Sequence, residues 1–373
     1  MESITNKGHH RRTMTALAAC NVATLAVAAN LAFSINPEDK ISLKRGASLT
    51  ALGLAYFATL FELVNAVGLR TAAGARFRAK YRLTAGDVLD ISNKVVSAVQ
   101  AALSCGTGLV VCRWSCARDF LRTSHSLSEA YAWFGTSYFF YDIWSMYMVH
   151  VQMSANPEYR NKVHKKGSAK NGTTLSMGDG VPYTKPTFLE YCRYEPVILL
   201  HHLFIGGFGF LVIVWLRGPL GDCTFGFVYL MELSTPLVSL RGILARLRLQ
   251  RSPLYVANGL AMLLAFLACR LLALPYVGLL YARSLRRPYL QAMASLPLGC
   301  KISIGILMLP QFYWFYLMSA GAVKLLVGTK QPLSAGDAQV GQNEQAGRTG
   351  RAGHTGHTGH TGQAGRGALH KRS

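Results

Sequence analysis

Between Ala47 and Val327 the chain is a succession of apolar runs, each about 20 residues long, the length that carries a helix across a ~30 Å hydrocarbon core. Seven such runs lie at about 47–69, 88–112, 128–150, 196–216, 223–240, 254–280 and 296–327. In lipid an unpaired backbone amide has no water to bond, so a segment must satisfy its own backbone as a helix or close into a barrel. A barrel needs strict alternation of apolar and polar residues, which these runs lack. The fold class that follows is all-α, a polytopic membrane helical bundle of about seven transmembrane helices. Composition agrees, with 51% hydrophobic and 15% charged residues, against about 25% charged in an average soluble domain.

The net charge of +22 raises nucleic acid as a partner, because clustered Lys and Arg neutralise phosphates. No RNA-reading signature or zinc-finger spacing accompanies it, and the basic residues sit between apolar runs and in the tails. They read instead as the flanks of membrane spans, with no nucleic-acid partner. Arg70, Arg76, Arg78, Lys80 and Arg82 follow the first run, and Arg160, Lys162, Lys165, Lys166, Lys170, Lys185 and Arg193 lie between the third and fourth. Arg241, Arg246, Arg248 and Arg251 separate the fifth from the sixth, whereas the alternate loops are poorer in positive charge. This alternation places the C-terminus in the cytosol and the start of the first run in the lumen. The sequon Asn171-Gly172-Thr173 then falls on the cytosolic side.

Residues 1–46 form an N-terminal extension that the sequence leaves open. His9, His10, Arg11 and Arg12 precede an Ala- and Thr-rich stretch, Thr13 to Ile35, readable as a signal peptide, a weak extra span or an amphipathic leader. Residues 328–373 are rich in Gly, Gln and Ala and repeat His-Thr-Gly from His354. With so little apolar surface to bury, this tail is expected to be disordered. The eight cysteines are scattered, most of them within apolar runs. They read as small buried apolar side chains, with no disulfide framework and no metal site.

Ionisable groups inside spans cost about 2.5–3.5 kcal/mol each on insertion scales, so each calls for a reason. Lys94 and Lys301 lie near span ends and are expected to snorkel. Glu62 has no evident role. Arg270 can pair with Glu232 or Asp142. His201 and His202 stand adjacent, a little over one turn into the fourth run, pointing about 100° apart on a helix. An imidazole takes up a proton near neutral pH and is a natural general base. Tyr138-Phe139-Phe140-Tyr141-Asp142 puts Tyr138 and Asp142 on one helix face, and Pro236 removes the hydrogen bond to the Glu232 carbonyl.

The order Tyr138 to Asp142, then His201-His202, then Glu232-Leu233-Ser234-Thr235-Pro236 resembles the TLC-domain family of membrane proteins. Asn258-Gly259, Cys269-Arg270 with Pro275-Tyr276, and Pro310-Gln311-Phe312-Tyr313-Trp314-Phe315 are similar, more narrowly, to the TLC domain-containing protein 3 subgroup, relatives of ceramide synthases. The resemblance covers about residues 47–327 and implies a helical bundle of the endoplasmic reticulum, or the Golgi, tied to sphingolipid metabolism. It implies transfer of a fatty acyl group from acyl-CoA, as co-substrate, to the amine of a sphingoid base, with no bound cofactor. The family's paired His match His201 and His202, with Glu232 in place of one of its acids; with Asp142 these are the candidate catalytic residues, and Tyr138, Tyr141 and Arg270 are the candidate substrate-binding residues. Ceramide synthases continue their motif with a His-Asp pair, where this chain reads Tyr229-Leu230-Met231-Glu232. A non-catalytic protein that binds lipid and regulates membrane composition stands as the alternative, and a transporter as a third reading. Association with itself or with another chain is left open.

Overall fold

The computed structural model describes residues 2–156, 159 and 185–326. Every regular element among them is helical: α1 (Glu2–Phe33), α2 (Leu43–Arg70), α3 (Ala72–Tyr81), α4 (Ala85–Val111) and α5 (Ser126–Ser154). Next come α6 (Phe188–Tyr194), α7 (Pro196–Leu203), α8 (Cys223–Leu230) and α9 (Thr235–Arg246). The last are α10 (Pro253–Phe266), α11 (Ala273–Ser284), α12 (Tyr289–Ser295) and α13 (Leu298–Leu326). Wider π turns extend α4 through Cys116, carry α7 to Leu216 and join α10 to α11. The expected tail lies outside the described residues, as does the sequon at Asn171.

Local chemistry sets the helix starts. Ser42 and Ser252 accept backbone N–H bonds at the heads of α2 and α10, and Thr84 forms a reciprocal capping box with Asp87 at α4. Pro196, Pro236 and Pro253 sit in first turns, where their missing N–H costs nothing. Pro236 follows a 3₁₀ turn, Met231–Ser234, so the freed carbonyls are met by tighter winding.

Seven of the described helical segments are long and apolar enough to cross a membrane, running from Arg12–Phe33 to Leu298–Val323. They do not include α5, whose interior is more polar, but they do include Arg12–Phe33 of the N-terminal extension. Yet α5 runs antiparallel to α4 over its whole length. Gly86 lies against Met153, Asn93 against Asp142, Ser97 against Tyr138, Gln100 against Tyr131 and Trp114 against His125. A 29-residue helix covering the same depth as α4 spans with it. The seven spans expected between Ala47 and Val327 thus each correspond to a helix or helix pair. The extension adds α1, held to α2 by Asn21, whose Nδ2 donates to Tyr56 O at 2.9 Å and to Thr59 Oγ1 at 3.1 Å.

The core gathers around α5, which is buried on almost every side. Without a water-driven hydrophobic force, membrane helices approach through small residues. A side chain at Gly53 would meet Phe134 O at 2.4 Å, and one at Gly108 would meet Gly226 O at 2.7 Å. These close approaches seat α2 on α5 and α4 on α8.

The cysteine reading needs correction at one pair. Cys116 and Cys223, 107 residues apart, form a disulfide between the end of α4 and the start of α8. No spacing rule links cysteines so far apart, so the sequence could not show it. Next to it Asp222, fully buried, accepts hydrogen bonds from Ser115 Oγ and, at 2.9 Å, from the His125 N–H. Disulfides persist in oxidising compartments, and this one lies at the end opposite the basic loops. Two independent rules therefore give one orientation, with the disulfide end lumenal or extracellular. Accordingly, Asn171 stays unglycosylated when the chain is expressed in a secretory-competent cell. A glycosidase-sensitive mass shift that disappears in Asn171→Gln would reverse the orientation.

At the basic end, Lys94 does not merely snorkel. Its Nζ lies 2.5 Å from Asp90 Oδ1, and the Arg246 Nε also donates to Asp90, tying α4 to α9. Lys301 Nζ donates to Ala294 O at 2.8 Å.

Candidate functional site

His201 and His202 are the sixth and seventh residues of α7, about 8–9 Å along its axis from Pro196. The end of the bundle that carries the basic loops is therefore the nearer one. His202 is buried and fully engaged. Its Nδ1–H donates to Ile198 O one turn back at 2.8 Å, and its Nε2 lies 2.8 Å from Asp142 Oδ2. The proton between Nε2 and Oδ2 belongs to the pair, and either placement leaves no ring nitrogen free for a ligand.

Asp142, 4% exposed, is held from a second helix as well. Asn93 Nδ2 on α4 donates to its Oδ1 at 2.9 Å and lies 2.5 Å from Ser145 Oγ, which in turn donates to Asp142 O at 3.0 Å. A carboxylate at membrane depth survives because its oxygens have partners from α4 and α7.

His201 points elsewhere. Its ring meets Trp314 of α13 edge-on at 5.0 Å and the His202 ring at 5.9 Å. Among the described residues it makes no hydrogen bond, and it is only half-buried. Of the two histidines, this is the one with ring nitrogens available.

A second polar node adjoins the first. Arg270, 9% exposed, stands in the π turn between α10 and α11. It donates to Ser234 Oγ and Thr235 Oγ1, each at 2.9 Å, and to Gln311 Oε1 at 3.3 Å. Its Nη2 lies 3.6 Å from Glu232 Oε2, which also accepts from Thr235 Oγ1 at 2.5 Å. Of the two pairings expected for Arg270, the structure has that with Glu232. The two nodes are joined through α13, where Trp314, which meets His201, stands one turn beyond Gln311, which accepts from Arg270.

The structure thus gathers His201, His202, Asp142, Glu232, Arg270 and Tyr138 in one polar interior. Tyr138 donates to Ser97 Oγ at 2.9 Å, extending the polar line between α4 and α5. Tyr141 stands apart, its ring against Phe57 and Phe61 of α2. Sequence reasoning did not single out Asn93, Ser145, Gln311 and Trp314. Asn93 and Ser145 carried a usable signal, being small polar residues in apolar runs, with Ser145 one turn from Asp142. Gln311 and Trp314 lie in a stretch readable as packing, and only the tertiary fold turns them toward Arg270 and His201.

Chemically the arrangement offers one unengaged imidazole, a buried His–Asp pair beside it and a fixed guanidinium nearby. A family model, that of the TLC domain (TRAM_LAG1_CLN8), matches residues 90–320, a span that holds every residue of both nodes. No solved structure matches the chain.

Proposed function

The chain belongs to the TLC-domain family, which includes ceramide synthases and related lipid-associated membrane proteins, and from that premise we propose that it is a ceramide-synthase-like N-acyltransferase of the endoplasmic reticulum, nearest the TLC domain-containing protein 3 subgroup. It joins a fatty acyl group from acyl-CoA to the amine of a sphingoid base. The observation that carries this reading is the division of labour between the histidines: His202 is anchored by Asp142, and His201 is left with free ring nitrogens beside it.

A protonated amine has no lone pair with which to attack. His201 relays one ammonium proton to the solvent, and the neutral amine nitrogen forms a bond to the thioester carbonyl carbon. His201 takes the second proton from that nitrogen, and the carbon–sulfur bond breaks. The proton held by His201 then passes to the departing thiolate. His202 and Asp142 act by position, fixing the turn of α7 that carries His201. Arg270 supplies a fixed positive charge toward which the thioester oxygen polarises in the transition state. Tyr138 lines the same interior. Acyl-CoA comes from the cytosol, and its phosphates meet the basic loops at the end nearer His201.

A second reading, a lipid-binding protein without catalysis, has one observation in its favour. Glu232 is committed to Arg270 and Thr235, so no carboxylate orients His201 directly. Purified protein given an isotopically labelled sphingoid base and acyl-CoA separates the two readings. The enzyme yields labelled ceramide with no other protein present, whereas retention of the base without product supports the binder.

A further inference from the structure

The turn from α9 to α10, at the basic end of the bundle, carries Arg241, Arg246, Arg248 and Arg251, and no Asp or Glu stands between Leu233 and Met262. The four arginines are not alike. Arg246 is structural, its guanidinium held by Asp87 and Asp90 of α4. Arg241, half-buried, has neither an ion pair nor a hydrogen bond among the described residues. An arginine that only snorkels extends its head to water. The Arg241 guanidinium instead lies over the ring of Tyr255 on α10, its Cζ 4.5 Å from the centroid. A side chain at Gly259, one turn further along α10, would meet Nη1 at 2.7 Å, so this glycine leaves the space that the guanidinium fills. Asn258, whose Nδ2 donates to Leu237 O at 2.9 Å, fixes α10 against α9 at this level.

A cation–π contact holds the guanidinium in place but supplies no acceptor oxygen, so its N–H donors remain for a ligand. They form a planar fork that matches the paired oxygens of a phosphate. Because the head is already oriented, less freedom is lost on binding. Depth gives the source of that phosphate. From Pro253 to Ser284, α10 and α11 with their π turn run 32 residues, about 48 Å of helix. About 9 Å is left at each end beyond a ~30 Å hydrocarbon core. Tyr255 and Gly259 lie in the first two turns of α10, within that margin, where lipid head groups sit. Arg248 and Arg251, both exposed, stand on the turn above. Their charge favours a net negative head group over a zwitterionic one.

We propose that Arg241, in its notch against Tyr255 and Gly259, binds the phosphate of an anionic phospholipid of the cytosolic leaflet. The site is separate from the acyl-transfer reading and does not depend on it.

The test uses the full chain in nanodiscs of equimolar phosphatidylglycerol and phosphatidylcholine, extracted into mild detergent, with retained lipids quantified by mass spectrometry. Wild type should enrich phosphatidylglycerol roughly tenfold over the input ratio. Two variants separate the notch from the general attraction of basic loops. R241K keeps the charge but loses the fork, and G259A keeps every charge but puts a methyl group where Nη1 lies. Each should remove most of the enrichment. The methyl group displaces only the end of a flexible side chain, so G259A should unfold at the temperature of wild type. R241K alone carries the test if it does not. Retention at the input ratio in wild type, or an enrichment that survives R241K, overturns the proposal. Displacement of the enriched lipid by free CoA, which carries phosphates but no acyl chain, would assign the fork to a soluble ligand and overturn the lipid claim.

Discussion

His201→Ala lowers the rate of amide formation by roughly 10²–10⁴-fold, the usual contribution of a positioned general base. The fall lies in kcat more than in KM, because the imidazole acts on the proton during attack and is not the main grip on a long lipid. Folding should survive, since His201 gives up no hydrogen bond with a described residue, only its edge contacts with Trp314 and His202. His201→Ala combined with His202→Ala should be no more than modestly slower than His201→Ala alone, if the second histidine acts through the first. Steady-state assays on the purified single and double variants check this. A single variant as fast as wild type removes His201 from the mechanism.

Asp142→Ala has its largest effect on stability. The change leaves His202 Nε2 and Asn93 Nδ2 without their shared acceptor in a buried site. Removing one member of a buried ion pair costs about 3–5 kcal/mol. Resistance to unfolding by a denaturing detergent, followed by circular dichroism, should fall accordingly. Asp142→Asn keeps the shape and an acceptor oxygen for one of the two partners, and so should cost less. An Asp142→Ala protein that unfolds like wild type would mean that the pair does not hold α5 to α7.

The bundle was legible in the sequence because length and apolarity are one-dimensional properties. Each of the seven apolar runs is a helix or an interrupted helix, and the alternating basic loops agree with the side on which the Cys116–Cys223 disulfide forms. What escaped is what depends on contact. The N-terminal extension stayed ambiguous because Asn21 interrupts its apolar stretch, and only the fold shows Asn21 bonding to α2. The disulfide joins residues 107 apart, beyond any spacing pattern. The residues of the site could be named because ionisable groups are costly in a span. Their pairing stayed open, since Arg270 could be offered either Glu232 or Asp142 and nothing along the chain says that Asp142 faces His202 instead. Gln311 and Trp314 look like an aromatic stretch until α13 is laid beside α7 and the turn that carries Arg270.

The central claim is that His201 removes the proton from the substrate amine, and the pH dependence of rate in wild type and His201→Ala tests it most directly. Raising the pH supplies more amine already deprotonated, so the variant needs the base less. Activity of His201→Ala should climb with pH toward that of wild type, narrowing a gap that is widest near neutrality. A gap that stays constant across the pH range, with both proteins folded throughout, would contradict proton removal by His201.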